Sequence, residues 1–340
     1  MKYHTLLLLF LVVLPCCKNE DKKSVAIKED HKIEEIKTYL AERAAKDSLH
    51  GVVLLGKNDN VLLHKAFGYV DLDSTQKHTL ESKIGLASLG KMFTAISIMQ
   101  LQSDRIIGLN DLASKYLDAI ENKSIRDSVR IRHLLSHTSG MGNYWAELRA
   151  GDRNKTADLE YIYSLVKDDT LVKPVGKTFG YSNSGYILLG KIIEEVTGLT
   201  YNDYVLKNIV EKCEMTDTEI GAPAGGGQST AADLWKFAQA LKEGKLLANS
   251  TFETMVQKQS DVAYGYGFMI NTRNGTKSFG HNGGWWNGEK LGIAAYFFII
   301  DNGYTVVVLT NRNPDVGGVG DQLHEILTKK EPDDDTNSQS

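Results

Sequence analysis

The sequence predicts an α+β fold, an α/β sandwich in which an antiparallel sheet flanked by helices carries an inserted, mostly helical domain. Strand-like runs occur towards both ends of the chain, whereas helical patterns fill the middle. The chain has 340 residues, 42% of them hydrophobic and 24% charged, so it can bury a large core. We expect a sheet domain built from 31–80 and 225–328, and a helical domain built from 81–224.

The first elements are predicted to be a helix and a hairpin. Apolar side chains recur at helical spacing at Ile33, Ile36, Leu40 and Ala44. Two apolar runs, 51–56 and 61–70, flank a turn-forming segment at 57–60. This pattern predicts a pair of antiparallel strands.

The last third of the chain returns to strand patterns. The predicted strands are 265–271, 276–280, 291–300 and 304–311. A closing helix is predicted at 321–327, because its leucines and isoleucine share one side. The acidic segment 329–340 is expected to be disordered.

The N-terminus resembles a bacterial lipoprotein signal. The apolar run 6–14 is too short to span a bilayer as a mature helix, and it precedes Cys16 and Cys17. We expect 1–17 to be a signal peptide with Cys17, or else Cys16, as the lipidated residue, and 18–30 to be a charged tether. An ordinary cleaved signal peptide is the alternative. The expected location is the bacterial cell envelope, where a lipid anchor holds the exported protein at a membrane, on its periplasmic or outer-membrane face.

The first of three polar motifs is Ser-Leu-Gly-Lys at 88–91. The run that follows, 92–101, is apolar nearly all round and predicts a buried helix. Ser88 would lie in its first turn after an extended run at 84–87, and Lys91 would reach the Ser88 hydroxyl. The same serine–lysine spacing occurs elsewhere without such a helix, at Ser74/Lys77 and Ser164/Lys167. Taken alone, the motif is more typical of a capping serine and a surface lysine.

Two further motifs follow in order. Tyr-Ser-Asn at 181–183 stands on a turn-rich loop before a predicted helix that ends at Gly198. His-Asn-Gly-Gly at 281–284 follows a predicted strand, and glycines in strands often mark the close approach of another backbone or a ligand. Each motif alone is more typical of a cap, a packed aromatic ring or a turn.

Together, the three motifs supply a serine nucleophile, a lysine, a phenol and a polar group beside two glycines. These groups can transfer an acyl group to a serine and then to water. On these motifs the chain resembles the class C β-lactamase and D,D-peptidase (penicillin-binding protein) superfamily of serine hydrolases over 31–328. Further segments that match this superfamily are 133–141, 225–234 and the predicted hairpin around 301–303. The resemblance implies a β-lactamase/transpeptidase-like fold with the site at the junction of its two parts.

The resemblance also implies roles for the residues of the motifs. Ser88 would be the nucleophile, and Lys91 and Tyr181 would move protons. Asn183 would hydrogen-bond Lys91 or a substrate amide. The backbone N–H groups of Ser88 and Gly284 would form the oxyanion hole. Whether the lysine or the phenol accepts the serine proton stays open at this point.

The third motif departs from the Lys-Thr-Gly of many relatives. His281 stands in place of the lysine, Asn282 lacks the threonine hydroxyl, and Gly283 completes the expected substrate-binding strand. A histidine binds a carboxylate less firmly than a lysine does. The resemblance therefore favours an esterase-like or D,D-peptidase-like hydrolase acting on an ester or amide, with a small-molecule or peptide acyl substrate. The alternative is a β-lactam or peptidoglycan receptor that is acylated with little turnover.

Composition argues against several other functions. The formal net charge is −4 without a basic cluster, so nucleic acid is not an expected partner. His133 and His137 could share a helix face, but the sequence offers no third ligand nearby, so we expect no metal site. No cofactor is expected. Outside the N-terminal segment Cys213 is the remaining cysteine, so we expect no disulfide within the domain.

Overall fold

The computed structural model describes residues 18–145, 158–286, 291–312 and 318–330. The predicted signal peptide with Cys16 and Cys17, and residues 331–340 of the tail, lie outside these ranges. The helices are α1 (Lys18–Ala45), α2 (Lys91–Ser103), α3 (Lys123–Arg126), α4 (Ile131–Leu135), α5 (Leu159–Val166), α6 (Asn183–Thr197), α7 (Tyr201–Val205), α8 (Ala231–Lys242), α9 (Asn249–Met255) and α10 (Gly318–Thr328). The strands are β1 (Gly51–Lys57), β2 (Asn60–Phe67), β3 (Ile84–Gly85), β4 (Glu219–Ala222), β5 (Gly225–Ser229), β6 (Met269–Arg273), β7 (Thr276–Trp286), β8 (Leu291–Ile300) and β9 (Tyr304–Arg312).

Six strands form one antiparallel sheet in the order β2-β1-β9-β8-β7-β6. Side chains alternate between its two faces, as the strand geometry requires. On β1, Val53 and Leu55 join the apolar cluster of one face, and Val52 and Leu54 join the cluster of the other. The sheet is therefore buried on both sides, which confirms the predicted sandwich.

The outer face of the sheet is covered by α1 and α10. Ile36 and Leu40 of α1 and Leu323 and Leu327 of α10 are buried against it. The backbone of α1 begins at Lys18. Residues 18–30, which we predicted as a tether, therefore form the first part of this helix. Within the described parts of the chain, no helix combines the length and apolar character needed to cross a bilayer.

The inner face of the sheet carries the helical part of the molecule. Phe237 of α8 stacks on Phe297 of β8 and meets Phe93 of α2, with ring centroids 5.5 and 5.2 Å apart. Every residue from Lys91 to Leu101 is buried, which confirms the helix predicted from its all-round apolar character. This packing fixes the N-terminal end of α2 against the sheet.

A second, three-stranded sheet lies at the junction of the two predicted domains. Its order is β3-β5-β4, with Ile84 paired to Ser229 and Gly85 to Gln228. Since β3 and β4 fall in the segment predicted as helical and β5 in the segment predicted as sheet, this small sheet joins the two. The exact boundaries between the domains stay a prediction.

Three strand boundaries differ from the sequence predictions. β2 ends at Phe67, because Gly68 (φ +63°) turns the chain against His50. β6 begins at Met269 rather than at residue 265, because Gly265 N–H bonds to Phe268 in a tight turn. β7 continues past residue 280 to Trp286, so the whole third motif lies within a strand.

Candidate active site

Ser88 lies in a 3-10 turn, Ala87–Gly90, that leads into α2. The run predicted as extended is a strand only at β3, because Ala87 turns into the left-handed region with φ +46°. Glycines of two strands approach the backbone of this turn closely. A Cβ added to Gly283 of β7 would lie 2.9 Å from Ser88 N, and one added to Gly225 of β5 would lie 2.5 Å from Ala87 O. The two strands thus hold the nucleophile turn by backbone contact.

Lys91 is completely buried one turn beyond Ser88. Its Nζ lies 3.3 Å from Ser88 Oγ and 2.6 Å from Asn183 Oδ1, and it also donates to Ala224 O. The predicted contacts of Lys91 with the serine and the asparagine are therefore confirmed. Burial lowers the pKa of Lys91 to about 7, because the low-dielectric interior disfavours the ammonium ion.

The Lys91 contacts suit both charge states of the amine. The ammonium can donate to all three oxygens. The neutral amine can donate to Asn183 and Ala224 and still accept the proton of the Ser88 hydroxyl. With a pKa near neutrality, Lys91 can therefore take the serine proton without losing its other partners.

Tyr181 completes the group. Its ring centroid lies 4.9 Å from Lys91 Nζ, and its buried hydroxyl has no hydrogen-bond partner within the described ranges. Burial raises the pKa of Tyr181 to about 12, and the adjacent Ser88 side chain offsets part of that rise. The phenol is therefore protonated at neutral pH and lies beside the Ser88 side chain.

His137 packs against the Tyr181 ring, a role that sequence reasoning did not find. Its imidazole is 4.2 Å from the Tyr181 ring and 4.8 Å from the Tyr264 ring, and its Nδ1 accepts from Ser182 N–H at 3.1 Å. Burial lowers its pKa well below the usual range, so the ring is neutral. In the described part of the chain, no group of three or more acidic, histidine or cysteine side chains could hold a metal ion.

Asn143 is a second residue that sequence reasoning missed. Its Oδ1 accepts from both the backbone and the side-chain nitrogen of Asn183 at 2.8 Å, and its Nδ2 donates to Tyr181 O at 3.3 Å. These contacts leave the oxygen of the Asn183 amide for Lys91. Asn143 lies between Gly142 and Tyr144 and belongs to none of the three motifs, so no local pattern pointed to it.

His281 is buried beneath the site, with 1% of its surface exposed. Its Nε2 lies 3.1 Å from the Tyr264 hydroxyl and its Nδ1 contacts Asn282 O. Burial, with the nearby Lys91 as a smaller cause, lowers its pKa to about 3. Both ring nitrogens therefore have protein partners, and the ring carries no charge at neutral pH.

The register of β7 separates the other residues of the third motif. Gly283 pairs with Ala295, which belongs to the inner-face cluster that includes α2. Asn282 pairs with Tyr296, which belongs to the outer face under α1 and α10. Alternation thus places the Asn282 side chain opposite His281, and its substrate contact stays a prediction. Gly284 follows Gly283 on β7, and its part in the oxyanion hole stays a prediction.

A two-part α+β fold with a serine, a buried lysine and a tyrosine at the junction defines the class of serine hydrolases to which the chain belongs. The sequence model of the Beta-lactamase family matches residues 36–328, so this protein is a member of that family. Its fold is accordingly β-lactamase/transpeptidase-like.

Three relatives illustrate the match. Penicillin-binding protein 4* of Bacillus subtilis (strain 168) is 25% identical, and the alignment covers 84% of this chain and 73% of that protein. The octameric penicillin-binding protein homologue from Pyrococcus abyssi is 27% identical with a TM-score of 0.71, over 82% of this chain and 73% of the other. D-amino acid amidase from Ochrobactrum anthropi SV3 has the same fold, with a TM-score of 0.72, 20% identity, and coverage of 88% and 97%.

Proposed function

We propose that this protein hydrolyses an ester or amide through an acyl-enzyme formed on Ser88. The observation that carries the proposal is the environment of Lys91, a fully buried amine within reach of the Ser88 hydroxyl and held by Asn183 and Ala224. A lysine with a pKa near 7 can act as a general base at neutral pH. A surface lysine could not.

The proposed acylation begins with transfer of the Ser88 proton to neutral Lys91. The serine oxygen attacks the substrate carbonyl, and the N–H groups of Ser88 and Gly284 stabilise the oxyanion. The Tyr181 hydroxyl, which is protonated at neutral pH and adjacent to Ser88, gives its proton to the leaving group. The phenolate then regains a proton from the Lys91 ammonium. Water attacks the acyl-enzyme by the same steps in reverse.

The uncharged state of His281 bears on the substrate. Because both of its nitrogens contact protein groups and its pKa lies near 3, it offers no cation to a substrate carboxylate. We therefore propose esters or amides that lack a carboxylate next to the scissile bond. The names of the relatives, penicillin-binding proteins and an amidase, agree with acyl compounds as the general class.

A fluorophosphonate probe and a hydrolysis panel test the proposal. We expect the probe to label the wild-type protein and not Ser88→Ala, because the hydroxyl is the nucleophile. The panel compares nitrocefin, a D-Ala-D-Ala peptide and short acyl esters, and we expect Ser88-dependent turnover of the esters. Equal labelling of Ser88→Ala would refute the assignment of the nucleophile. One fast equivalent of product without a steady rate would instead favour the receptor function.

We further propose that the protein is exported and anchored by a lipid on Cys17, or Cys16, at the cell envelope. The support is the sequence pattern alone, since these residues lie outside the described ranges. Metabolic labelling with a fatty acid tests it. Labelling that survives replacement of both cysteines would contradict the proposal.

A further inference from the structure

Trp285 is a large aromatic side chain with 57% of its surface exposed, directly after Gly284 on β7. Exposed tryptophans are costly in water and often mark a binding surface. The register pairs Trp285 with Ile293, whose side chain packs against Gly85 of β3, three residues before the nucleophile. Trp285 therefore stands beside the chain segment that carries Ser88.

The register of β7 also shows on which face of the sheet the Trp285 side chain lies. Trp285 lies two residues after Gly283 and four after His281, so the three share the inner face of the sheet. With a rise of about 3.3 Å per residue, Trp285 lies roughly 7 Å along β7 from the contact between Gly283 and Ser88 N. This distance is right for a group bonded to the carbonyl that Ser88 attacks.

The candidate active site has two distinguishable ends along β7. The His281 end is the one near the Tyr181 ring, at 6.4 Å between ring centroids, and Tyr181 protonates the leaving group in the proposed reaction. The leaving group therefore occupies the His281 end. The acyl group, on the other side of the carbonyl, extends towards Trp285.

We propose that Trp285 forms the apolar wall of an acyl-group subsite, and that the substrate carries an aromatic or bulky apolar acyl group. This inference rests on the proposed acyl-enzyme function and names the substrate class for it. The indole face would stack on, or cover, the apolar part of the acyl group next to the scissile carbonyl.

The chain supplies a matched control in the next residue. Trp286 is 62% exposed on the same strand, but it pairs with Gly292 and lies on the opposite, outer face. Trp286→Ala thus removes the same side chain at nearly the same distance from Ser88, on the wrong side of the sheet. Any general effect of truncating an exposed tryptophan will appear in both variants.

The test measures kcat/KM of the wild type, Trp285→Ala, Trp286→Ala and Ser88→Ala on p-nitrophenyl acetate and p-nitrophenyl phenylacetate. The leaving group is constant, so the two esters differ only in the acyl group. We expect Trp285→Ala to lower kcat/KM about tenfold for the phenylacetate and less than about twofold for the acetate. We expect Trp286→Ala to leave both values within about twofold of the wild type. Trp285→Phe should recover most of the loss, because an aromatic face remains.

Two different failures can be told apart. If the wild type shows no Ser88-dependent turnover of either ester, the proposed function itself fails. Suppose instead that the wild type turns over both esters. The acyl subsite is refuted, and the hydrolase function stands, if Trp285→Ala lowers kcat/KM equally for both esters or for neither. The same conclusion follows if Trp285→Ala and Trp286→Ala have the same effect.

Discussion

The side-chain amine of Lys91 lies 2.6 Å from the amide oxygen of Asn183, although 92 residues separate the two in sequence. The amine comes from the first turn of α2 and the amide from the first turn of α6. Because Asn143 accepts from the Asn183 nitrogen, the amide oxygen stays directed at the amine. A charged side chain at position 183 would therefore lie directly against the Lys91 amine.

Replacing Asn183 with aspartate should raise the pKa of Lys91. A carboxylate at this distance favours the ammonium ion, so a higher pH is needed to free the amine. We expect the acid limb of the kcat/KM–pH profile to move up by more than about one unit in Asn183→Asp. Asn183→Ala introduces no charge and should not move it upwards. An unchanged limb in the aspartate variant would show that Lys91 is not the titrating base.

The wild-type enzyme should lose activity as the pH falls through about 7. The pKa of Lys91 is lowered from its usual value to about 7, and below it the ammonium cannot accept the Ser88 proton. Lys91→Arg keeps a positive charge that does not titrate in this range. We expect it to lose about 10²- to 10⁴-fold in kcat/KM. Near wild-type activity of Lys91→Arg would mean that the lysine acts only as a cation.

Tyr181→Phe should separate the hydroxyl from the ring. The phenylalanine ring can keep its packing on His137, so the fold should persist while proton transfer to the leaving group fails. We expect a loss of about 10²- to 10⁴-fold in kcat. Tyr186→Phe is the control, because that ring also lies near Lys91 (5.5 Å) but its hydroxyl donates to Leu135 O. It should cost about 1 kcal/mol of unfolding free energy and little activity. Equal kinetic losses in both variants would refute the proton-donor role.

Gly283→Ala should disable the site by displacing the nucleophile turn. The new Cβ would lie 2.4 Å from Leu86 O and 2.9 Å from Ser88 N, both backbone atoms. Since the Ser88 N–H is a proposed oxyanion donor, we expect kcat/KM to fall about 10²-fold or more. Gly142→Ala, where the nearest atoms of the described residues would be 3.9 Å away, should have little effect on kcat/KM. Circular dichroism melts check that both variants fold, and wild-type kinetics in folded Gly283→Ala would contradict the backbone contact.

Stability should fall on mild acidification. Burial lowers the pKa of His137 and His281 in the folded protein below 6.5, their pKa in the unfolded chain. At a pH between the folded and the unfolded pKa of each histidine, the unfolded chain therefore binds more protons than the folded protein. His281, with a folded pKa of about 3, then destabilises the fold by about 1.5 kcal/mol between pH 6.5 and pH 5, and His137 acts in the same direction. Urea titrations at several pH values measure this. In His281→Asn, which cannot titrate, the same pH change should cost less; an identical slope would show that His281 does not titrate.

Local patterns were sufficient for several elements. The apolar run after Lys91 predicted a buried helix, and Gly198, found at φ +70°, closes α6 as expected. Patterns were insufficient where glycine or a buried polar group intervened. The sequence did not predict that β7 continues past residue 280, because Gly283 and Gly284 have no side chains to show the alternation of polar and apolar residues typical of a strand. Asn143 and His137 act through contacts with residues about 40 positions away, which no local periodicity reports.

The sequence by itself determined the types of chemical group present and the local elements on which they lie. Serine and lysine spaced by one helical turn, a tyrosine before a helix and glycines in a strand are all local features. Tertiary structure decided the state of those groups. It placed Lys91 and His281 where water is excluded, which lowers both pKa values, and it put Asn282 and Trp285 on opposite faces of one sheet. Burial and strand register depend on contacts between distant segments, and the free energy of a charge depends on that surrounding medium.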